Sequence, residues 1–424
     1  MYQTLELFPG VRLRCIHSSR FKQGVLSIQF LRHMNRDEAA MNALMPDILL
    51  RGCQAAPDLQ RITARLDDLY GASVAAQVRR VGDYQTTGLA CGFIDDRFAL
   101  PGDRVLAPMV EFLGQLLLEP LTENDGFCRD YVSGEKKNLI SALEAQLSDK
   151  AAYAAGKLLK NMCRGDSFAV PRLGGIPQVR KVTPKGLYEH YQKVLRESPV
   201  EVFYVGSASA EQVAELLRPV LARLPREAII TLPPQTALKA AKPSHKSEKM
   251  DISQAKLAMG FVTEITNRDR NFAGMQLMNY IFGAGMTSKL FTQLREQQGL
   301  CYAIGSSYYA GKGLLMVNAG IDSARVEETK TAVLEQLRLC QEGGITLQEL
   351  DNAKAALLSG LQAVYDSPGA MESYFSSAAL SGLERSPEQY ADEIREVTLE
   401  DVVAVAKTLQ LHSSYFLAGE GQDE

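Results

Sequence analysis

GAGMTSKLFTQLREQQGLCYAIGSSYYAGKGLLMVNAGID, residues 283–322, carries the densest structural signal in the chain. Thr287 or Ser288 offers a hydroxyl to cap a helix. Leu290, Phe291 and Leu294 follow at i, i+1 and i+4, which makes one apolar stripe. Gly299 supplies the left-handed residue that ends such a helix. The spacing therefore predicts a helix over 287–298, then a strand over 302–310 and a turn. Arg295 falls in the last turns of the helix, where a cation is favoured. Tyr302 falls at the start of the strand.

Working outward, the same pattern occurs a second time. GLACGFID (88–95) resembles LMVNAGID (315–322), and each follows a strand-like run rich in small residues, YGASVAAQV (70–78) and YAIGSSYYA (302–310). A further pair agrees. VTPKGLYEHYQKVLRESPVEVFYVG (182–206) and VTLEDVVAVAKTLQLHSSYFLAG (397–419) both open on Val-Thr, run through a helical pattern and end in an apolar strand at Gly; their starts lie 215 residues apart (397 minus 182). Two matches in the same order imply a duplicated domain of about half the chain. Between the halves, ITLPPQTALKAAKPSHKSEKMDI (230–252) is rich in Pro, Lys, Ser and Ala and reads as a linker. The boundaries expected are 1–235 and 236–424.

VLSIQFL (25–31), VEVFYVG (200–206) and AKLAMGFV (255–262) read as strands. Helical patterns cover 37–50, 58–69, 102–118, 128–160, 184–195 and 209–223. In the second half they cover 270–282, 287–298, 323–341, 346–364, 387–394 and 398–409. Strands and long helices without strict alternation imply an α+β fold.

Composition narrows the function. The chain has 424 residues, 46% of them hydrophobic, enough for sizeable cores in two or more domains. A net charge of -4 speaks against a nucleic-acid footprint. The seven cysteines are scattered, odd in number and without C-x-x-C, which fits buried free thiols better than disulfides or a zinc knuckle. No basic segment followed by an apolar one opens the chain, so no signal peptide is expected. FLGQLLL (112–118) is too short to span a bilayer. The expected location is the cytoplasm, without membrane association. GAG (283–285) and GKG (311–313) lack the strand–loop–helix context of phosphate binding and read as turns.

The 283–322 stretch resembles the second-domain signature of the M16 metallopeptidases, the group of mitochondrial processing peptidase, pitrilysin and insulin-degrading enzyme. It has the small-residue turn, Ser288 ahead of Leu290-Phe291, and R-E-x-x-G-L-x-Y as Arg295 through Tyr302. The resemblance extends over the whole chain, since bodies of that family are also paired homologous domains. It implies two M16-type domains, each a mixed sheet packed by helices, facing each other as a clamshell around a peptide-sized chamber.

Active members of that family bind zinc through H-x-x-E-H on a first-domain helix, with a Glu from a later helix. The matching stretch here is MNALMPDILLRGC (41–53). Counting back from Gly52, the first His position falls on Ala43, the Glu on Pro46 and the second His on Asp47. GEKKNLISALEA (134–145) resembles the later E-x(6)-E helix; Glu135 matches the first Glu, and the zinc-binding position falls on Ala142, or on Glu144 in a register shifted by two. Ala43, Pro46, Asp47 and Ala142 are thus degenerate zinc-site positions, and no metal or other cofactor is expected in this chain. Of the five histidines, none pairs with another at i+3 or i+4. His190 reads as a surface residue of a helix, His245 lies in the linker, and His17, His33 and His412 sit beside strands.

The Arg and Tyr of the signature, Arg295 and Tyr302, are present. In the family they reach toward substrate held at the zinc. The resemblance therefore implies a YfmF-type, zinc-motif-less subunit. Its partner would be an M16 homologue that carries H-x-x-E-H, of the YfmH type, and holds the Zn2+. Arg295 and Tyr302 would bind substrate and stabilise the oxyanion in trans, on a peptide or unfolded polypeptide. The branch's catalogue name also points to elongation factor P modification, a link that no residue here carries. A peptide-binding or scaffold protein without chemistry is the alternative. A stand-alone zinc peptidase built on Asp47, Glu135 or Glu144 with one His is another. A homodimer of the chain alone is compatible with each.

Overall fold

A computed structural model describes residues 2–419. In chain order its strands are β1 (Tyr2–Phe8), β2 (Val11–His17), β3 (Gln23–His33), β4 (Ser73–Val81), β5 (Tyr84–Ile94), the short hairpin β6 (Thr122–Glu123) and β7 (Gly126–Phe127), and β8 (Val200–Gly206). They continue as β9 (Ser244–Met250), β10 (Ala255–Val262), β11 (Cys301–Tyr309), β12 (Leu314–Ile321) and β13 (Gln410–Gly419). The helices are α1 (Ala39–Leu49), α2 (Leu59–Asp67), α3 (Leu106–Leu118), α4 (Arg129–Ser148), α5 (Lys150–Met162), α6 (Ile176–Lys181), α7 (Pro184–Glu197) and α8 (Ala210–Leu221). After these come α9 (Phe272–Asn279), α10 (Val326–Gln341), α11 (Leu347–Ala363), α12 (Pro368–Leu380), α13 (Pro387–Glu396) and α14 (Leu399–Ala406). Two π-helical turns, Tyr280–Ala284 and Leu290–Gln297, lie between α9 and β11.

The repeat read from the sequence is the topology itself. The first large sheet has the order β1-β2-β8-β3-β5-β4 and the second β11-β12-β10-β13-β9. Reversing the second aligns β2 with β9, β8 with β13, β3 with β10, β5 with β12 and β4 with β11. Each matched pairing has the same sense: β2–β8 and β13–β9 are parallel, and the others antiparallel. β1 is an addition to the first sheet. The fold is α+β, with two mixed sheets packed by helices.

Each sheet has two covered faces, and the second cover comes from the other half of the chain. One compact unit consists of 1–143, 170–233 and 364–377; the other consists of 144–169, 234–363 and 378–424. In the first, Leu13, Ile28, Leu89 and Val202 face a core shared with α1, α3, α7 and α8. On the opposite face Ile16 and Val205 pack against Met371 and Phe375 of α12. In the second unit, Leu257, Phe261, Leu315 and Val317 face α9, α10 and α14. Ala258, Val262, Met316 and Leu417 face α5 through Ala154, Leu158 and Met162. A side chain at Gly260 would place its Cβ 2.1 Å from the Met162 sulfur, so the glycine lets α5 lie close to the sheet.

Polar pins fix both contributed helices. Glu372 of α12 is almost fully buried and accepts hydrogen bonds from Ser27 Oγ (2.7 Å), Gln29 Nε2 (3.1 Å) and the Arg79 guanidinium (2.6 Å). On the second sheet, Glu248 of β9 accepts from Tyr153 (2.8 Å) and Lys157 (3.0 Å) of α5 and from Tyr415 (2.5 Å) of β13. The Tyr415 and Lys157 hydrogen bonds, with that of Tyr153, hold the Glu248 carboxyl down to about 2.

Several readings are corrected. The linker contains β9, so His245 is a strand residue; its Nδ1 lies 2.7 Å from Ser414 Oγ. β9 has no alternating apolar pattern because it is a largely exposed edge strand. The single helix over 128–160 is two, broken at Asp149, whose carboxylate caps α5 through the N–H groups of Ala151 and Ala152. α12 was not anticipated. All seven cysteines are unpaired, and only Cys128 is partly exposed. Among the described residues no helix is long and apolar enough to cross a membrane.

Removing a buried carboxylate strands its partners. Glu372→Ala is expected to lower stability by about 3 kcal/mol, read as a lower urea midpoint; an unchanged midpoint would show that α12 is held by its apolar contacts alone.

Candidate functional site

Of the helix expected over 287–298, Leu290–Gln297 forms, beginning after Lys289. Leu290 and Leu294 are fully buried, which turns Arg295 outward. Gly299 ends the helix at φ +59°. The helix is π-wound, a form that recurs at functional sites. The expected cap is not made: Ser288 is buried, and among the described residues its hydroxyl has no hydrogen-bond partner. Phe291 departs from the predicted stripe. It lines a cleft, and the Arg295 guanidinium lies 4.7 Å from its ring centroid.

That cleft, of about 380 Å³, runs from Met286, Phe291 and Arg295 to Ala303, Gly305 and Asn318. β11 forms one side and is an edge strand. Tyr302 stands where the β11–β12 register breaks, between the pairs Cys301–Ile321 and Ala303–Gly320. The break frees its side chain, which is 68% exposed. The only ion pair of Arg295 among the described residues is with Glu296 at 3.5 Å, with both side chains about half exposed. Such a pair is weak. Burial pushes the neighbouring Cys301 thiol up to about 11, against the opposing charge of Arg295. Arg295 thus presents a hydrogen-bond donor into a cleft floored by small residues, and Tyr302 a second, exposed donor beside Ala303 of its wall.

The stretch expected to match the zinc helix folds as α1, and its side chains offer no set of metal ligands. Ala43 and Pro46 are buried in the core. Ala142 is exposed on α4 and, like them, has no ligand atom on its side chain. Asp47 is exposed; desolvation by the surrounding protein and the charge of Glu135 push its carboxyl up to about 6. Glu135 is already engaged, by an ion pair with Arg51 and by Asn138 Nδ2 at 3.0 Å. Glu144 lies exposed on α4. Among the described residues no three His, Cys, Asp or Glu side chains converge.

What α1 has instead is a buried polar network that sequence reading missed. Pro46 has no N–H to give the Asn42 carbonyl. Thr87 Oγ1 donates to that carbonyl at 2.7 Å in its place. The Asn42 side chain donates to Gln85 Oε1 (2.9 Å), and Gln85 donates to the carbonyls of Ala39 (3.1 Å) and Arg172 (2.6 Å). Those bonds leave Asn42 Oδ1 as the acceptor for His190 Nε2 at 2.7 Å. His190 is therefore a core residue, only 6% exposed, and not the surface residue expected from its helix. Asn42 is a polar interruption of an apolar run, the one local signal of the network; Gln85, between Tyr84 and two threonines, carries none.

Burial lowers the His190 pKa from 6.5 to about 4; the Arg32 and Lys193 charges act in the same direction and Glu38 opposes. Between pH 6.5 and 4 the unfolded chain then binds a proton that the folded chain refuses. Stability falls as pH drops through that window, by up to roughly 3 kcal/mol. Urea midpoints measured from pH 7 to 4.5 should show this loss, and His190→Gln should flatten it. An unchanged profile in the variant would assign the loss to other groups.

With this geometry in view, comparison with known proteins is informative. The family description "Peptidase M16 inactive domain" matches residues 181–357. The chain is 27% identical over 410 residues to YmfF of Bacillus subtilis (strain 168), described as "Probable inactive metalloprotease YmfF", covering 97% of this chain and 96% of the relative. The branch expected above under the letters YfmF is met by this relative, lettered YmfF. A conserved protein from Enterococcus faecalis V583 superposes with a TM-score of 0.93 at 26% identity over the full length of both chains. A peptidase M16 inactive domain structure from Pseudomonas fluorescens has the same fold, with a TM-score of 0.82 at 20% identity over 99% of this chain and 98% of that one. Matching fold, matching signature and end-to-end similarity agree in identifying the chain as an inactive M16-like metallopeptidase homologue.

Proposed function

We propose that this chain is the non-catalytic subunit of a heterodimeric zinc-dependent M16 peptidase in the cytoplasm. It holds a peptide or unfolded polypeptide and donates Arg295 and Tyr302 to the zinc site of a partner chain that carries H-x-x-E-H. The observation that carries the reading is the contrast between the two halves. The α1 counterpart of the zinc helix is closed by apolar packing and the Asn42 network. Arg295 lines the cleft and Tyr302 is exposed next to its Ala303 wall, and among the described residues the only ion pair of Arg295 is the exposed one with Glu296.

The chemistry follows from the donors. The partner's zinc would supply a water of lowered pKa and a Lewis acid. Arg295 can take the scissile carbonyl through its planar fork, and the Tyr302 hydroxyl can add a second donor as negative charge develops on the oxygen. Both groups bind more strongly to the oxyanion than to the neutral carbonyl, so they act on turnover more than on affinity. A second reading, a peptide-binding scaffold without chemistry, uses the same cleft but gives no reason for the exposure of Tyr302.

The test is reconstitution. The chain is mixed with an M16 homologue bearing H-x-x-E-H, and zinc content and peptide cleavage are measured for each alone and for the pair. Cleavage is expected in the mixture only. Arg295→Ala should lower kcat of the pair by about 10²–10³, and Tyr302→Phe by a smaller factor. Equal turnover with Arg295→Ala would refute donation in trans and favour the scaffold.

A further inference from the structure

β10 is the central strand of the second sheet, and Lys256 is its only charged residue. Farther along the same sheet face, Ala258, Gly260 and Val262 are covered by α5. A lysine on the covered face of a central strand is rare unless it is paired. Among the described residues no carboxylate pairs with Lys256; its ammonium group donates to the side-chain oxygen of Gln254. The cross-strand neighbours are Gly320 and Leu417, which offer it nothing.

Lys256 instead lines a pocket of about 210 Å³. The first turns of α5, Ala151 and Ala154, line it too, as do Gly305 and Gly320. The Ala154 and α5 contacts with the sheet are within one compact unit, so the pocket is built by that unit alone. It shares Ala303, Ile304, Gly305 and Asn318 with the cleft that holds Arg295. The two cavities therefore adjoin at β11 and β12, with Arg295 lining one, Lys256 the other and small residues between them. The Gln254 side chain lies over Gly320, where a Cβ would meet its Oε1 at 2.9 Å, while Gly305 has only the Gly283 carbonyl near it, at 3.5 Å, and keeps the sheet surface low there.

We infer that Lys256 is the carboxylate-binding end of these adjoining cavities: it receives the C-terminal carboxylate, or an Asp or Glu side chain, of a peptide that runs from the cleft at Arg295 across Gly305. Gln254 and Asn318 place side-chain amides in the same pocket, where each can donate to a carboxylate oxygen. The inference rests on the peptide-holding part of the function proposed above and adds an acidic preference to it. It does not depend on the oxyanion role of Arg295.

The experiment uses fluorescence anisotropy of three fluorescein-labelled hexapeptides of one alanine-rich sequence. One ends in a free carboxylate, one in an amide, and one in an amide with a glutamate at the penultimate position. Each is titrated with the full chain and with Lys256→Met, Ala151→Phe and Arg295→Ala, all checked for native near-UV circular dichroism. The free acid, the glutamate peptide or both should bind the native chain about tenfold more tightly than the plain amide, as expected for one charge-assisted contact. Which of the two gains identifies the source of the carboxylate. Lys256→Met should abolish the difference. Ala151→Phe, an exposed helix position that narrows the pocket, should weaken the favoured peptide while leaving Lys256 in place. Arg295→Ala should weaken all three and preserve the difference. Equal binding of all three peptides to the native chain, or no binding of any at millimolar protein, would overturn the subsite. So would a difference that survives both Lys256→Met and Ala151→Phe. Equal binding beside Arg295-dependent cleavage by the reconstituted pair would reject the subsite and leave the proposed function intact.

Discussion

Neither half of this chain covers both faces of its own sheet. The sheet built by the first half receives α12 from the second, and the sheet built by the second half receives α5 from the first. An uncovered inner face would expose Ile16 and Val205 in one unit and Ala258, Met316 and Leu417 in the other, all apolar and now nearly dry. Hydrophobic burial therefore ties the two halves into one folding problem. The pins at Glu372 and Glu248 add direction to a force that has none. A carboxylate that must meet two or three donors fixes where along the sheet each helix lies.

The two units of the duplicated framework differ in how their polar residues are placed. In the first unit, α1 is closed to solvent chemistry. Pro46 removes a helical hydrogen bond, Thr87 restores the lost partner to the Asn42 carbonyl, and Asn42, Gln85 and His190 complete a satisfied core network. Each piece makes sense only with the others, which is why a buried polar cluster is tolerated there at all. In the second unit, Leu290 and Leu294 anchor a helix whose outward residue, Arg295, has only a screened neighbour. A register break puts Tyr302 into solvent instead of into the ladder.

Lys256 belongs to the second of those units. Central strands rarely carry a charge toward a covering helix, because desolvation would disfavour it. Here the cost is reduced because α5 begins with alanines at 151, 152 and 154, leaving a pocket where larger side chains would have sealed the face.

The sequence by itself determined the repeat, the α+β class and the positions of Arg295 and Tyr302. These follow from local signals: alternation in the strands, the stripe of Leu290 and Leu294, and the stop at Gly299. It determined too that Ala43, Pro46 and Ala142 bring no ligand atoms, since side-chain chemistry needs no coordinates. Only the tertiary structure decided where the polar residues with no local role go. His190 looks like a surface histidine because its helix is amphipathic, and it is buried because Asn42 on a distant helix meets its ring. β9 looks like a linker because an exposed edge strand needs no apolar period, and it is a strand because β13 supplies its hydrogen bonds. α12 carries no sharp periodic face, since a helix laid on a partly polar sheet face is selected by Glu372 as much as by its apolar residues. In each case the deciding partner lies far away in sequence, and a window along the chain cannot contain it.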